Sequence, residues 1–217
     1  LQSSLSERIL DTENLYKPYV DTAYRDFSMK LTKNIDRPYI GVRLPILRKL
    51  AKEIEDIDFP IIYHEDVLLR GFWIGRQRLS FNEKLKLIDD HIKYLETWDE
   101  VDCFASEIKP KPTEKDAAYS YFMNLIRSSN TMTRRLGIIF MMKQRKAYPD
   151  KTEEIIEAIT AADNDEYYVS MAVAWALTTF YMDDNSIDKW FGRISQETLK
   201  RTQQKIRDSI RERKPKQ

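Results

Sequence analysis

Trp98 and Asp102 lie four residues apart in the stretch Thr97-Trp98-Asp99-Glu100-Val101-Asp102, so on a helix the indole and the carboxylate share one face. An aromatic plane beside an anionic oxygen is a receptor for something flat and positively charged. The same stretch also reads as a plain helix start. Thr97 and Glu100 have the spacing of a capping box, in which case Trp98 is a core residue and Asp102 a solvated or paired carboxylate. Other reactive side chains are scarce. The single cysteine, Cys103, allows no internal disulfide and no multi-cysteine zinc site. One position along a helix from Asp102 it points about 100° away, with no histidine placed to activate it, and is expected to be a buried structural thiol. His64 and His91 lie apart, match no metal-ligand spacing, and are expected at the surface or at helix ends.

The elements that must position these residues are helices. Only 5 glycines occur in 217 residues, and apolar residues recur at three- and four-residue spacing: Leu85, Leu87, Ile88, Ile92 and Leu95 in one stripe, Met171, Val173, Ala174 and Leu177 in another. No alternating run demands a sheet. The spacing predicts helices over 13–29, 45–56, 61–78, 81–95, 98–107, 113–128, 131–147, 151–161, 165–182 and 196–213, the last of them basic. Breaks fall at Pro38, Pro60, Pro110/Pro112 and Pro149, and no Gly-, Ser- or Pro-rich linker divides the chain, which is read as one domain over 1–217. Helices pairing every ~35–45 residues describe an all-α solenoid of HEAT-like antiparallel pairs with a concave face, a globular bundle being the alternative.

Composition bounds the function classes. With 42% hydrophobic and 33% charged residues the chain is neither disordered nor membrane-spanning, as no stretch approaches the ~20 apolar residues a span needs. The first residues lack the apolar run of a signal peptide, and a cytoplasmic location is the expectation. A net charge of +1 makes the whole chain no magnet for polyanions, but the charge is unevenly distributed. Lys and Arg crowd the stretch after Lys189, opposed by Glu197, Asp208 and Glu212, and form pairs at Arg76/Arg78, Lys109/Lys111, Arg134/Arg135 and Arg145/Lys146. Acids gather at Glu53, Glu55, Asp56 and Asp58 and at Asp163, Asp165 and Glu166.

Three further segments join the opening one: Gly41-Val42-Arg43-Leu44-Pro45-Ile46-Leu47-Arg48-Lys49-Leu50, Ser128-Ser129-Asn130-Thr131-Met132-Thr133-Arg134-Arg135-Leu136-Gly137, and Tyr167-Tyr168-Val169-Ser170-Met171-Ala172-Val173-Ala174-Trp175-Ala176-Leu177. In this order, over roughly residues 20 to 180, they resemble the AlkD-like DNA alkylation repair family of HEAT-like repeat proteins. The resemblance implies a DNA glycosylase-like hydrolase that binds alkylated duplex DNA and excises cationic N3- or N7-alkylated bases. It implies Asp102 as the catalytic carboxylate, Trp98 and Trp175 as aromatic walls, and Arg135, with its neighbour Arg134, as contacts to DNA.

Those residue types suit that chemistry. An alkylated purine already carries positive charge and leaves readily, and a carboxylate near the sugar stabilises the oxocarbenium-like transition state. No cofactor or metal is required, and a monomer without membrane attachment is expected. Met132 and Thr178 depart from the pattern of active members, which place an aromatic residue before the arginine and an arginine after Trp-Ala-Leu. The alternatives are a non-catalytic DNA-binding HEAT-repeat paralogue and a protein-interaction scaffold, the latter drawing on Tyr119, Tyr121, Phe122 and Tyr148 if these lie outside the core. Trp73 and Trp190 match no site position and are expected in packing.

Overall fold

The computed structural model describes residues 10–32 and 36–213, the last two by backbone alone. The N-terminal stretch and the basic residues Lys214 and Lys216 lie outside the described residues. The described chain is all-α, with α1 (Thr12–Tyr16), α2 (Thr22–Leu31), α3 (Leu44–Leu50), α4 (His64–Arg76), α5 (Phe81–Ile92), α6 (Trp98–Glu107), α7 (Lys115–Ile126), α8 (Thr131–Gln144), α9 (Thr152–Ala161), α10 (Tyr167–Asp183) and α11 (Gln196–Arg213). None of the described helices is long and apolar enough to cross a membrane.

Several elements differ from the sequence pattern: the helices expected over 45–56, 81–95 and 131–147 end early, at Leu50, Ile92 and Gln144, and three further differences have a local reason. The helix expected over 13–29 is two, because Pro18 diverts the chain into a 3-10 turn and the Asp21 carboxylate then caps a new start by accepting from Tyr24 N at 2.9 Å. The helix expected over 61–78 begins at His64, whose backbone N–H is taken by Pro38 O, while Asp66 accepts from Ile62 N and Tyr63 N. A long 3-10 helix over Asn185–Arg193, started by Asp184 accepting from Ser186 N, went unread in the sequence.

The contacts of the chain divide it into two compact units, Leu1–Arg78 with Lys86–Glu107, and Leu79–Leu85 with Ile108–Gln217. In the first unit α4 packs against α3 and α6, over a core of Tyr16, Val42, Leu47, Leu50, Leu69 and Phe72. Buried carboxylates organise this unit. Asp66 accepts from the Tyr16 hydroxyl at 2.9 Å, and Glu65 accepts from the backbone N–H groups of Ile40, Gly41 and Val42. Gly41 has φ +100°, and a Cβ there would lie 2.5 Å from Asp21 O, so only glycine fits.

In the second unit α8 is the central helix, packed against α7 and α10, and its residues Leu136, Ile138, Ile139, Phe140 and Met141 are fully buried. Four residues, 127–130, join α7 to α8, so the two run back along each other, with Phe122 stacked on Phe140 at 3.6 Å. Gly137 permits that closeness: a Cβ would sit 2.6 Å from Ile126 N and 2.8 Å from Phe122 O. α10 also packs on α9 and α11. Its seam with α11 is lined by hydroxyls, Ser170 with Thr198 at 2.6 Å and Thr178 donating to Thr202 O at 3.4 Å.

Candidate active site

The candidate residues fall in both units. Trp98 and Asp102 stand on α6 in the first; Arg134, Arg135 and Trp175 stand on α8 and α10 in the second.

At the start of α6 the capping box forms as its spacing implies. Glu100 Oε2 accepts from Thr97 N at 3.0 Å and Glu96 N at 2.7 Å, and Thr97 Oγ1 accepts from Glu100 N at 3.3 Å. The helix-start and receptor readings of this stretch are therefore compatible. Thr97, Glu100 and Val101 turn inward and are buried, which leaves Trp98 and Asp102 half-buried on another face. The indole N–H of Trp98 donates to Leu31 O at the end of α2, at 3.3 Å. Cys103 is half-buried against the core of this unit, where burial, together with the nearby Asp99 charge, pushes its thiol up to about 12. It is a packing thiol and no nucleophile.

A buried ionic cluster holds the same end of α6. His64 Nδ1 lies 2.9 Å from Glu100 Oε1 and His64 Nε2 lies 3.0 Å from Asp99 Oδ2. Arg37 reaches Glu100 Oε1 at 3.0 Å, Glu96 Oε1 at 2.9 Å and Tyr94 O at 3.1 Å. Tyr39 stacks on the imidazole, centroids 4.1 Å apart and planes at 19°. Burial alone would depress the imidazole, but its hydrogen bonds to Asp99 and Glu100 and their charges outweigh that and hold it up to about 10. Burial would raise Asp99, and the His64 hydrogen bond and charge instead keep it below the usual carboxylate range.

The two histidines thus sit at helix ends as expected, but neither is on the surface. His91, near the end of α5, is fully buried against Phe104 and Gly71, with neither ring nitrogen hydrogen-bonded to protein. Burial, with the charges of Arg70 and Arg37, pushes it down to about 3, so it stays neutral. Among the described residues no group of three or more His, Cys, Asp or Glu is arranged to hold a metal ion.

In the second unit the arginine pair is bound inward. Arg135 is only 4% exposed and donates to Tyr168 O at 2.8 Å. Arg134, half-buried, donates to Ser128 O at 2.7 Å and to Ala162 O at 3.4 Å. Trp175 is half-buried on α10, with Lys143 Nζ 5.6 Å from its ring centroid. It lines an open cleft of about 500 Å³ with Arg145, Thr179, Met182, Lys205 and Ser209. Met132 and Thr178 are both buried, and Thr178 donates to Ala174 O at 2.8 Å. Those two departures from the active pattern therefore lie in packing rather than on the surface. Phe122 and Tyr148 are buried and Tyr119 and Tyr121 half-buried; Trp190 is buried and Trp73 packs against the core of the first unit.

Sequence reasoning missed His64 and Arg37. Neither has a local signal, because their partners lie 36 and 63 residues away along the chain. A comparison with protein-family models matches residues 17–205 to the family described as DNA alkylation repair enzyme. The search of curated proteins and the search of solved structures each return no match.

Proposed function

The chain belongs to the DNA alkylation repair enzyme family, and on that premise we propose that it is a DNA glycosylase-like hydrolase that binds duplex DNA and excises N3- and N7-alkylated bases. Asp102 is the catalytic carboxylate of this reading. As the C1′–N bond breaks, its electron pair neutralises the departing cationic base and leaves positive charge on the sugar. Asp102 faces that charge, steadies the attacking water and takes its proton. Trp98 receives the cationic base by cation–π contact, worth about 0.5–2 kcal/mol. In this reading the half-buried Trp175 and Arg134 are the DNA contacts of the second unit, and Arg135, bound inward to Tyr168 O, supports them. No cofactor enters the reaction, and a monomer carries it out.

The observation that carries the reading is the pairing on α6: a half-buried Trp98 and a half-buried Asp102, one turn apart on the same helix. The test is release of 3-methyladenine or 7-methylguanine from methylated duplex DNA under enzyme excess. Asp102→Asn should lose at least about 100-fold in rate while binding the same duplex as tightly. Absence of release by the wild type, or full activity in the variant, overturns it.

A second reading is a non-catalytic DNA-binding HEAT-repeat protein. In it the chain binds DNA without cutting it, because Met132 and Thr178 stand where active members carry an aromatic residue and an arginine. Mobility shifts that weaken steeply with salt, with no base released, select this reading.

A further inference from the structure

Resting on the reading of Trp98 and Asp102 as the reacting face, we propose that His64 is a positioning residue. Its doubly protonated ring bridges Asp99 and Glu100 and fixes the rotation of α6, which sets where Asp102 projects.

Geometry demands the second proton. A neutral imidazole has one N–H and one lone pair, and here both nitrogens face carboxylate oxygens within 3.0 Å. A neutral ring would aim its lone pair at an anion. The charge does not serve the helix that carries it. His64 is the first residue of α4, where a cation opposes the helix dipole, and Asp66 already accepts from the N–H groups of Ile62 and Tyr63 there. Both ring partners belong to α6.

Those partners are neighbours in sequence, so they leave the α6 axis about 100° apart. One rigid ring holding both defines an angle, and it cannot keep both bonds if the helix turns. Tyr39 stacks on the ring, Arg37 ties Glu100 to Glu96 and Tyr94, and Asp99 stands one turn before Asp102. A rotation of about 20° would carry a carboxylate at the rim of the helix roughly 2 Å sideways, enough to cost about 100-fold in a positioned reaction. The charged and titratable groups around the ring are Asp99 and Glu100 of α6, Arg37 and Tyr39 of the segment before α3, Glu65 of α4 on the side of Tyr39, Glu96 of the turn before α6, and Tyr24 of α2 on the side of Asp99.

The full chain labelled with 5-fluorotryptophan has four fluorine signals, one for each tryptophan, and Trp98→Phe identifies the relevant one. In the wild type, both His64 ring nitrogens should carry protons at pH 8 by nitrogen NMR, and the Trp98 signal should move with the alkaline deprotonation of that ring. His64→Gln should shift or split the Trp98 signal while those of Trp175 and Trp190 stay put. It should also slow base release at least tenfold, with affinity for methylated duplex within twofold. A neutral ring at pH 8, a Trp98 signal indifferent to the titration, or an unmoved signal in the variant overturns the inference. The wild-type titration decides it even if the variant fails to fold. If the wild type releases no base, the excision reading falls and the fluorine result alone decides the role of His64.

Discussion

α6 and α10 each present one half-buried tryptophan, and they are held by opposite means. α6 has 10 residues and its starting end is fixed by buried charge, with Glu100 wholly covered and shared between Arg37 and His64. α10 has 17 residues and is apolar on nearly every side, with Val169, Ala172, Val173, Ala174, Ala176 and Leu177 fully buried. Its polar ties include the hydroxyls of Ser170 and Thr178, Tyr168 O accepting from Arg135, and Asp183 paired with Arg145 at its far end. A helix placed by ions answers to protons, and one placed by packing answers to volume. Asp102, the carboxylate proposed for chemistry, sits on the first kind, and Trp175, proposed as a DNA contact, sits on the second.

The largest effects should separate the two directly. Glu100→Ala strips the shared counter-charge from Arg37 and His64 and should cost about 3–5 kcal/mol, whereas Phe140→Ala empties a stacked, fully buried site beside α10 for a similar about 3–5 kcal/mol. Urea unfolding at several pH values tells them apart. The Glu100 variant should show a weaker alkaline pH slope, since only Asp99 then holds the His64 proton, and the Phe140 variant should keep the full slope. Equal slopes in both would end the distinction.

Next in size is Arg135→Leu, which leaves Tyr168 O without this donor and should cost about 1.5–3 kcal/mol in stability before any effect on DNA is counted. A variant as stable as the wild type would mean that the guanidinium serves the surface after all.

The pH response itself comes third. His64 titrates at 6.5 when unperturbed and at about 10 in the folded chain, so its stabilisation is complete below about pH 6.5 and is lost as pH rises through 10. His91 moves the other way, from 6.5 to about 3. The unfolded chain takes up a proton that the folded chain refuses, and stability falls as pH drops from 6.5 toward 3. Thermal unfolding should flatten on the alkaline side in His64→Gln and on the acid side in His91→Leu. The smallest effect is expected at the α10–α11 seam, where Thr178→Val should cost about 1 kcal/mol or less by calorimetry and leave every pH slope intact.

What was legible in the sequence follows the range of the forces involved. The helix over 98–107 and the capping box at its start depend on residues three apart, and both were readable from Thr97 and Glu100. The apolar spacing within α5 and α10 was equally open to periodicity. Pro18 and Asp21 were visible signals that a single helix over 13–29 ignored. The ionic cluster was not readable at all, because nothing near His64 reveals that Asp99 and Glu100 fold against it. The inward turn of Arg135 was hidden for the same reason: its acceptor is a carbonyl 33 residues on, and a backbone oxygen leaves no mark in residue type.

For the binding proposed at Trp98, the bond from its indole to Leu31 O bears on strength rather than on location. A free aromatic side chain surrenders its choice of orientation when a ligand docks, at about 0.5–1.5 kcal/mol. Trp98 has made that surrender during folding, since the ring already leans on a fixed oxygen of another helix. A guest arriving over it meets a surface that does not have to be ordered, and the attraction between ring and cation reaches the binding constant nearly undiminished.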